Sequence, residues 1–222
     1  MSTVRRSVEI GILLYPGAQL AAVHGLTDLF AVATRLAVDH AGAALPALRV
    51  RHWLERDDGT VVCGHDTHPS EENRPVALIV PPSLGDLLDR AAAVRLAQWL
   101  KAQHGSGAAL CSVCAGAFLL AETGLLSGRT ATTHWSLAGT LAHRFPDIRV
   151  DADKLILDDG DIITAGGVMA WTDLGLKLVD RLLGPSIMLA TENAFASVIK
   201  RNRTGISNAL WFSGNKPRSR NA

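Results

Sequence analysis

A cysteine between a strand-length apolar run and two small residues constrains this chain more than any other feature. Residues 108–113 are mostly apolar over a length that suits a buried strand, and Cys114 follows directly. Ala115 and Gly116 come next, and they permit a sharp turn into a helix over residues 116–126, where apolar side chains recur at helical spacing. The pattern predicts a strand–turn–helix elbow that carries a thiol at its tip.

A second short run, residues 129–133, ends at His134. If both runs are neighbouring parallel strands joined by a right-handed crossover, their carboxyl ends lie at one edge of the sheet, about 4.8 Å apart. We therefore expect Cys114 and His134 to approach hydrogen-bonding distance, as in cysteine-dependent catalysis. A small core cysteine and a structural histidine form the alternative interpretation of the same two residues.

The rest of the pattern alternates strands and helices, which predicts an α/β fold with a mostly parallel central sheet and layers of helices on both faces. Val76 to Val80 is the most strand-like run and should be central. The Asp-Asp-Gly sequence at 158–160 predicts a hairpin turn. The predicted strands are 8–15, 48–54, 76–80, 108–113, 129–133, 154–157 and 161–164, and the predicted helices are about 28–38, 86–103, 116–126, 136–144, 168–183 and 187–199.

Several segments are predicted to be irregular. Residues 19–25 should form a loop on the carboxyl edge of the sheet, and 63–68 a polar loop, because the Cys and His spacing there matches no standard zinc site. Strand 48–54 should lie near a sheet edge, since its arginines need solvent. Residues 201–205 and 214–218 are predicted as loop and tail.

Composition sets broad limits. The chain has 222 residues, 48% of them hydrophobic and 19% charged, which suits one large soluble domain. No uninterrupted apolar run reaches the ~18 residues of a membrane span and no signal peptide is evident, so we predict a cytoplasmic protein without membrane contact. Three cysteines argue against a disulfide framework. Cys111 and Cys114 should lie about 10 Å apart along the strand, too far for a disulfide.

Charge is distributed unevenly. The formal net charge is +1, but residues 200–222 hold six basic residues and no acid, which leaves 16 basic and 21 acidic residues before them. Six charges diluted over such a tail are more typical of a solvated end than of a nucleic-acid-binding surface. We therefore expect no nucleic-acid binding through this chain alone.

Candidate pocket residues follow two other predicted strands. The loop after the first strand contains Ala22 and His24 but no carboxylate, and it should face the elbow. After the strand 76–80, Pro81 and Pro82 lack backbone N–H groups, so the donors of an oxyanion hole there are limited to residues 83–85. Together with Cys114 and His134, the predicted site comprises Ala22, His24, Ser83, Gly85 and Ala115.

Four motifs in order, YPGAQL, VCAGAFLLAETGLL, GRTATTHW and TAGGVMAWTDLGL, resemble the ThiJ/PfpI superfamily. These are flavodoxin-like proteins related to class I glutamine amidotransferases, and within them the pattern is most similar to the amidase-like sensory domains of AraC-type transcription regulators. The resemblance implies that Cys114 is the reactive elbow cysteine, that His134 is its companion, and that the chain forms a homodimer.

The chain departs from the family pattern at two places. Several members keep an acid after the first strand, where Ala22 stands here, and a Pro-Gly-Gly turn where residues 81–83 read Pro-Pro-Ser. The resemblance thus implies a ThiJ/PfpI-like domain over 1–186 and a C-terminal helix and basic tail over 187–222, with no DNA-binding domain. We expect no cofactor and no metal.

Three functions remain open. The first is a small-molecule-sensing domain without efficient catalysis, because Ala22 cannot supply the acid beside the thiol. The second is a cysteine-dependent hydrolase or hydratase, in which Cys114 attacks a carbon electrophile, His134 moves the proton, and the N–H groups of Gly85 and Ala115 hold the developing anion. The third is a redox sensor based on oxidation of Cys114.

Overall fold

The computed structural model of the chain describes residues 6–69 and 74–205. Within them lie nine strands and six α-helices, which are interspersed along the chain. The strands are β1 (Ser7–Leu14), β2 (Ala47–Glu55), β3 (Val61–Asp66), β4 (Pro75–Val80), β5 (Ala109–Val113), β6 (Thr130–Ala131), β7 (Arg149–Val150), β8 (Ile156–Asp158) and β9 (Ile162–Ala165). The helices are α1 (Leu20–Ala41), α2 (Arg90–Gly105), α3 (Gly116–Glu122), α4 (Ala138–Arg144), α5 (Trp171–Leu183) and α6 (Pro185–Gly205).

Seven strands form the central sheet in the order β3-β2-β1-β4-β5-β9-β8. The inner pairs are parallel, and the two edge strands β3 and β8 run antiparallel to their neighbours. Strand β4 occupies the centre, as its continuous apolar run predicted. Because the inner strands are parallel, the loops after β1, β4, β5 and β9 all emerge at one edge of the sheet.

Helices cover both faces of this sheet and complete a flavodoxin-like three-layer sandwich, which confirms the predicted fold class. One buried cluster packs α1 and α5 against the sheet, and a second packs α2 and α3 against the opposite face. Gly25 of α1 makes the first of these contacts possible, since a Cβ there would lie 2.5 Å from the Trp171 ring of α5.

The predicted loop over residues 19–25 is wrong, because α1 already begins at Leu20 with Gln19 as its N-cap residue. Nothing between Leu20 and Gly25 breaks a helix, and buried apolar residues such as Ala22 and Val23 continue its inner face. The loop after β1 is therefore short, and the residues predicted to lie in it are placed on a helix.

Strand β2 lies near an edge of the sheet, as predicted, but the reason for that prediction, that its arginines need solvent, is wrong for Arg49. Strand β2 has β3 on its outer side, formed in part by residues 63–66 of the predicted polar loop. Arg49 does not reach solvent: it is 1% exposed, donates to Asp66 from Nε over 2.9 Å, and lies 3.6 Å from the buried carboxylate of Glu9. Burial raises the pKa of Glu9, opposed by Arg51 and Arg49. Paired charges replace the solvent contact that the sequence suggested.

The run after the elbow does not join the central sheet. Strand β6 pairs only with β7, in a separate two-stranded sheet, and the neighbour of β5 is β9. The hairpin of β8 and β9 confirms the turn predicted at residues 158–160. His134 therefore cannot reach the elbow by the strand adjacency that the sequence suggested.

Helix boundaries differ from the predictions where capping decides them. Helix α2 begins four residues later than predicted, because Asp89 rather than Asp86 caps it by accepting hydrogen bonds from the N–H groups of Ala91 and Ala92. Helix α3 ends at Glu122, four residues early, and α5 begins at Trp171 instead of 168. Residues 201–205 belong to α6 and not to a loop, whereas the predicted tail over 214–218 lies outside the described residues.

Helix α1 has the length and apolar composition that a membrane-spanning helix would need. Its buried residues, which include Leu26, Leu29 and Phe30, pack in the core cluster against the sheet. Core helices of this kind meet the same two criteria without crossing a membrane.

Candidate functional site

The elbow after β5 holds Cys114 in a left-handed backbone conformation. Its φ is +54°, and among the described residues it is the only one other than glycine with a positive φ. Such a conformation costs about 1–2 kcal/mol for a residue with a Cβ. Three hydrogen bonds fix it: Cys114 N–H donates to Ala165 O over 2.8 Å, and Cys114 O accepts from Thr133 Oγ1 over 2.7 Å and from Ala117 N over 3.2 Å. The predicted sharp turn is thus held by these hydrogen bonds in a conformation that is unfavourable for a residue with a Cβ.

Gly116 makes the close approach of α3 to the sheet possible. A Cβ at this position would lie 2.5 Å from the carbonyl oxygen of Val80 and 2.9 Å from that of Pro81. Any larger residue would push the start of α3 away from the carboxyl end of β4. The small residue expected after the cysteine therefore sets the distance between the elbow and the Pro81 turn.

The thiol of Cys114 is almost fully buried, with 3% of the residue exposed. Burial raises its pKa, and a hydrogen bond from the backbone N–H of Ala115 lowers it only in part. At neutral pH the sulfur is therefore held mainly as the protonated thiol. This is the reverse of the thiolate expected when a helix N-terminus and a histidine both act on a cysteine.

His134 lies on a loop with other partners. Its Nδ1 lies 2.7 Å from Ser136 Oγ and accepts from Ser136 N–H over 3.3 Å, so the side chain caps a short 3₁₀ turn. Its ring packs against Trp135, with ring centroids 5.4 Å apart. Within the described part of the chain, no hydrogen bond joins His134 to Cys114. Since Nδ1 acts as an acceptor, the proton of the neutral ring resides on Nε2.

Ala22 and His24 diverge on the surface of α1. Ala22 is fully buried in the same apolar cluster as Cys114 and Trp171, so the position that the resemblance matched to an acid is apolar here. His24 is exposed and points toward β2, where its ring centroid lies 5.8 Å from that of His52. Because residues 20–25 are helical and do not form the predicted loop, these two candidate side chains lie on different sides of α1.

Ser83 and Gly85 form a turn that uses its own polar groups. Gly85 N–H donates to Ser83 Oγ over 3.2 Å, and that hydroxyl lies 3.2 Å from Gly17 O. A bound anion would have to displace the serine hydroxyl before Gly85 could donate to it. The candidate oxyanion donor is therefore engaged in this conformation.

Tyr15 is a candidate site residue that was not predicted from the sequence. It follows the last residue of β1, is 8% exposed, and donates from its hydroxyl to Pro81 O over 2.6 Å. Burial raises the pKa of the phenol, and a charge on Cys114 would raise it further, which places Tyr15 electrostatically close to the sulfur. Its position immediately before Pro16 at the end of a predicted strand could have identified it.

Two separate cavities flank the elbow. One lies beside α3 and has Tyr15, Ser83 and Ala115 in its wall. The other is an open cavity beside β9, with His134 and Trp135 in its wall. The two cavities share no lining residue, and Cys114 lines neither of them.

Metal ligands do not converge in the described structure. Across residues 6–69 and 74–205, no three or more His, Cys, Asp or Glu side chains are arranged to hold a metal ion. Cys63, Cys111 and Cys114 are free thiols, which agrees with the prediction that Cys111 and Cys114 lie too far apart for a disulfide.

Comparison with known proteins agrees with this architecture. The DJ-1/PfpI family profile matches residues 73–181. The HTH-type transcriptional regulator CdhR of Pseudomonas aeruginosa is 29% identical over 197 residues, which are 85% of this chain and 55% of that protein. Isonitrile hydratase of Pseudomonas putida is 27% identical, over 80% of this chain and 73% of that enzyme. A crystal structure of an AraC family transcriptional regulator from Pseudomonas putida superposes with a TM-score of 0.62 at 20% identity, and covers 85% of this chain and 99% of that one.

The chain belongs to the DJ-1/PfpI family, which confirms the resemblance to ThiJ/PfpI proteins. Its similarity extends both to transcriptional regulators and to an enzyme. The chain spans only about half the length of the regulator CdhR. Similarity alone therefore does not assign roles to the individual site residues, and their geometry has to do so.

Proposed function

We propose that this chain is a small-molecule-sensing domain of the kind found in AraC-type transcription regulators, without efficient catalysis at Cys114. The observation that carries the proposal is the state of the thiol. Burial raises the pKa of Cys114, the position of the family acid is the apolar Ala22, and His134 is bonded to Ser136. The elbow thus keeps its shape while it lacks the groups that would activate a nucleophile.

Similarity to regulators supports the same proposal. CdhR and the AraC family structure both align with most of this chain. A cytoplasmic homodimer that binds a small molecule is the form we propose for the protein, and nucleic acid would then be bound by other polypeptide segments. Sedimentation of the purified chain would test the dimer.

Alkylation of Cys114 by iodoacetamide, followed across pH by peptide mass spectrometry, tests the proposal. We expect labelling to titrate at or above the free-cysteine value of about 8.5, with the same profile in His134→Ala. Cys63, which is half-buried in β3, provides an internal reference for reagent quality. A Cys114 thiolate that titrates well below that value, and shifts upward in His134→Ala, would overturn the proposal.

A cysteine-dependent hydratase is the second candidate, favoured by the strained elbow and by the similarity to isonitrile hydratase. In that reaction water adds to an isonitrile to give an N-substituted formamide. Ala22→Asp should then raise turnover of an alkyl isonitrile, whereas Ala21→Asp, on the exposed side of α1, should not. Turnover by the unmodified protein that vanishes in Cys114→Ala would make this candidate the correct one.

The redox-sensor hypothesis has less support from the geometry. Oxidation to sulfenic acid proceeds through the thiolate and needs access to solvent, and Cys114 offers neither. Rapid addition of oxygen at Cys114 on treatment with peroxide, seen by intact mass, would revive it.

A further inference from the structure

Three large apolar side chains are exposed beside β9. Trp135 is 76% exposed, Met169 is 59% exposed and Leu155 is 54% exposed. Trp135 and Leu155 line the open cavity beside β9, and Met169 comes two residues after Gly167, which lines the same cavity. We call these three residues, together with that cavity, the Trp135 surface. Exposed apolar patches on soluble monomers are usually small, and larger ones mark sites of interaction.

The cavity of the Trp135 surface has room for a large side chain but does not enclose a small ligand. Its volume is about 390 Å³. A small-molecule site normally buries most of the surface of its ligand, whereas two of the wall residues here, Trp135 and Leu155, are themselves more than half exposed. Gly167 keeps the cavity wide, because a Cβ at this position would meet no atom within 4 Å. The shape therefore suits a protruding group that belongs to another protein surface.

Trp135 is itself a protruding group. Its ring packs against that of His134, and most of the residue is exposed to solvent. Tryptophan is prominent among the residues that dominate the binding energy of protein interfaces, where it fills a pocket of the partner. A protruding tryptophan and an open cavity thus lie side by side. In a contact with twofold symmetry the same patch meets itself, so each tryptophan can enter the cavity of the other copy.

The charged groups of the Trp135 surface favour a second copy of the chain as the partner. Asp153 and Lys154 are adjacent and exposed, and both line the cavity. Within the described part of the chain, neither side chain has a hydrogen bond or an ion pair. Their opposite charges cancel, so they supply none of the net positive charge that nucleic-acid binding needs. Across a twofold axis, Asp153 of each copy can pair with Lys154 of the other, which makes the surface complementary to itself.

We propose that the Trp135 surface is the interface of a homodimer of this chain, in which Trp135 of each copy packs into the cavity beside β9 of the other. This inference rests on the proposed homodimer and deepens it, because it names the contact. His134 lines the same cavity and is covered in such a dimer. The indole of the second copy then completes the wall of the cavity on this side of the elbow.

Sedimentation equilibrium of the full chain over a range of concentrations tests the interface. Trp135→Ser should raise the dissociation constant of the dimer by roughly thirtyfold or more, as expected for a tryptophan at the centre of an interface. Leu84→Ser is the matched control and should dimerise like the unmodified chain, since Leu84 is 70% exposed but follows β4 and lies outside the cavity. A dimer that is equally stable in Trp135→Ser would overturn the proposal.

Reversal of charge tests whether the partner is a second copy. Lys154→Asp should weaken the dimer by roughly tenfold or more, because two acidic residues of one copy then face two of the other. Asp153→Lys should weaken it for the corresponding reason. The double variant that carries both reversals should recover the original affinity, since its surface is again complementary to itself. A double variant as weak as the single ones would contradict the proposed pairing.

A side chain placed in the cavity tests whether Trp135 enters it. Gly167→Leu should weaken the dimer by roughly tenfold, because the leucine occupies the space that the indole needs. Gly139→Leu, in α4 and with equally open surroundings, should leave the dimer unchanged. An exposed apolar patch without a cavity for Trp135 would gain affinity from the added leucine. A tighter or unaltered dimer in Gly167→Leu would therefore count against the proposal.

The failures of the two proposals can be told apart. A chain that dimerises with full affinity in all these variants would reject only this interface and leave the homodimer standing. A chain that stays monomeric at every concentration would reject the interface and the homodimer together. Alkylation of Cys114 needs no dimer, so fast alkylation at low pH would reject the sensing function whatever the oligomeric state.

Discussion

The side-chain hydroxyl of Thr133 donates a hydrogen bond of 2.7 Å to the main-chain carbonyl of Cys114, and so joins the segment after β6 to the tip of the elbow. Both residues are buried. The segment after β6 is therefore joined to the cysteine by this hydrogen bond and not by pairing of neighbouring strands. The imidazole of His134, one residue further on, is left to bond with Ser136.

Thr133→Val should lower the free energy of unfolding by about 1 kcal/mol, because it removes one hydrogen bond at nearly constant volume. The loss stays moderate since Cys114 O also accepts from Ala117 N–H. Urea unfolding measures the change, with Thr140→Val on the exposed side of α4 as the matched control. Equal stability of the two variants would mean that the bond contributes nothing to holding the elbow.

Cys114→Gly should be more stable than Cys114→Ala by about 1 kcal/mol, because only the glycine escapes the cost of a left-handed backbone. The usual order is the opposite one within a helix: Ala31→Gly, at an exposed position of α1, should cost about 1 kcal/mol. Thermal unfolding of all three variants gives the comparison. If Cys114→Ala were the more stable of the pair, the turn would not be strained.

Gly25→Ala should destabilise the fold by about 1–3 kcal/mol, since the new methyl group would collide with the Trp171 ring. Gly139→Ala, in α4 with open space around the glycine, should instead stabilise it by up to about 1 kcal/mol. Chemical denaturation distinguishes the two. A stabilising effect at both positions would show that α1 and α5 can move apart at little cost.

The histidines of β2, β3 and α1 should make stability fall in mild acid. Burial, and then His65 and His24, lower the pKa of His52 to about 4, below the ordinary value of 6.5. The folded state favours the neutral ring of His52. The contribution of His52 to the free energy of unfolding is therefore present above pH 6.5 and is lost as the pH falls from 6.5 toward 4. It amounts to at most about 3 kcal/mol.

Urea unfolding at pH 7 and pH 4.5 measures this effect, with His52→Gln as the reference. The amide of glutamine can still donate to Thr27 Oγ1, which lies 2.9 Å from His52 Nε2, but it does not titrate. The pH dependence should be smaller in the variant. An identical fall in both proteins would assign the acid sensitivity to other groups.

Much of the fold could be predicted from local patterns. The apolar run Val76 to Val80 identified the central strand, and Cys114 followed by Ala115 and Gly116 identified the elbow. These features depend on residues adjacent in sequence, where periodicity and small size carry the information.

The parts that the sequence could not provide depend on distant partners. Glu9 and Arg49 are forty positions apart, and neither shows by itself that it is buried with the other. The same holds for β9, which lies beside β5 in the position that was predicted for the run before His134. The candidate site was predicted least accurately, because its geometry depends on which strands become neighbours.

The elbow is fastened through the main-chain N–H and carbonyl of Cys114 and not through its sulfur. The turn therefore needs no particular side chain at its tip, although any residue with a Cβ carries the cost of the left-handed backbone. Descendants of one ancestral gene could lose a reactive thiol, or regain one, by single substitutions and without rebuilding the scaffold. In a protein of this shape, chemical activity and architecture can be inherited separately.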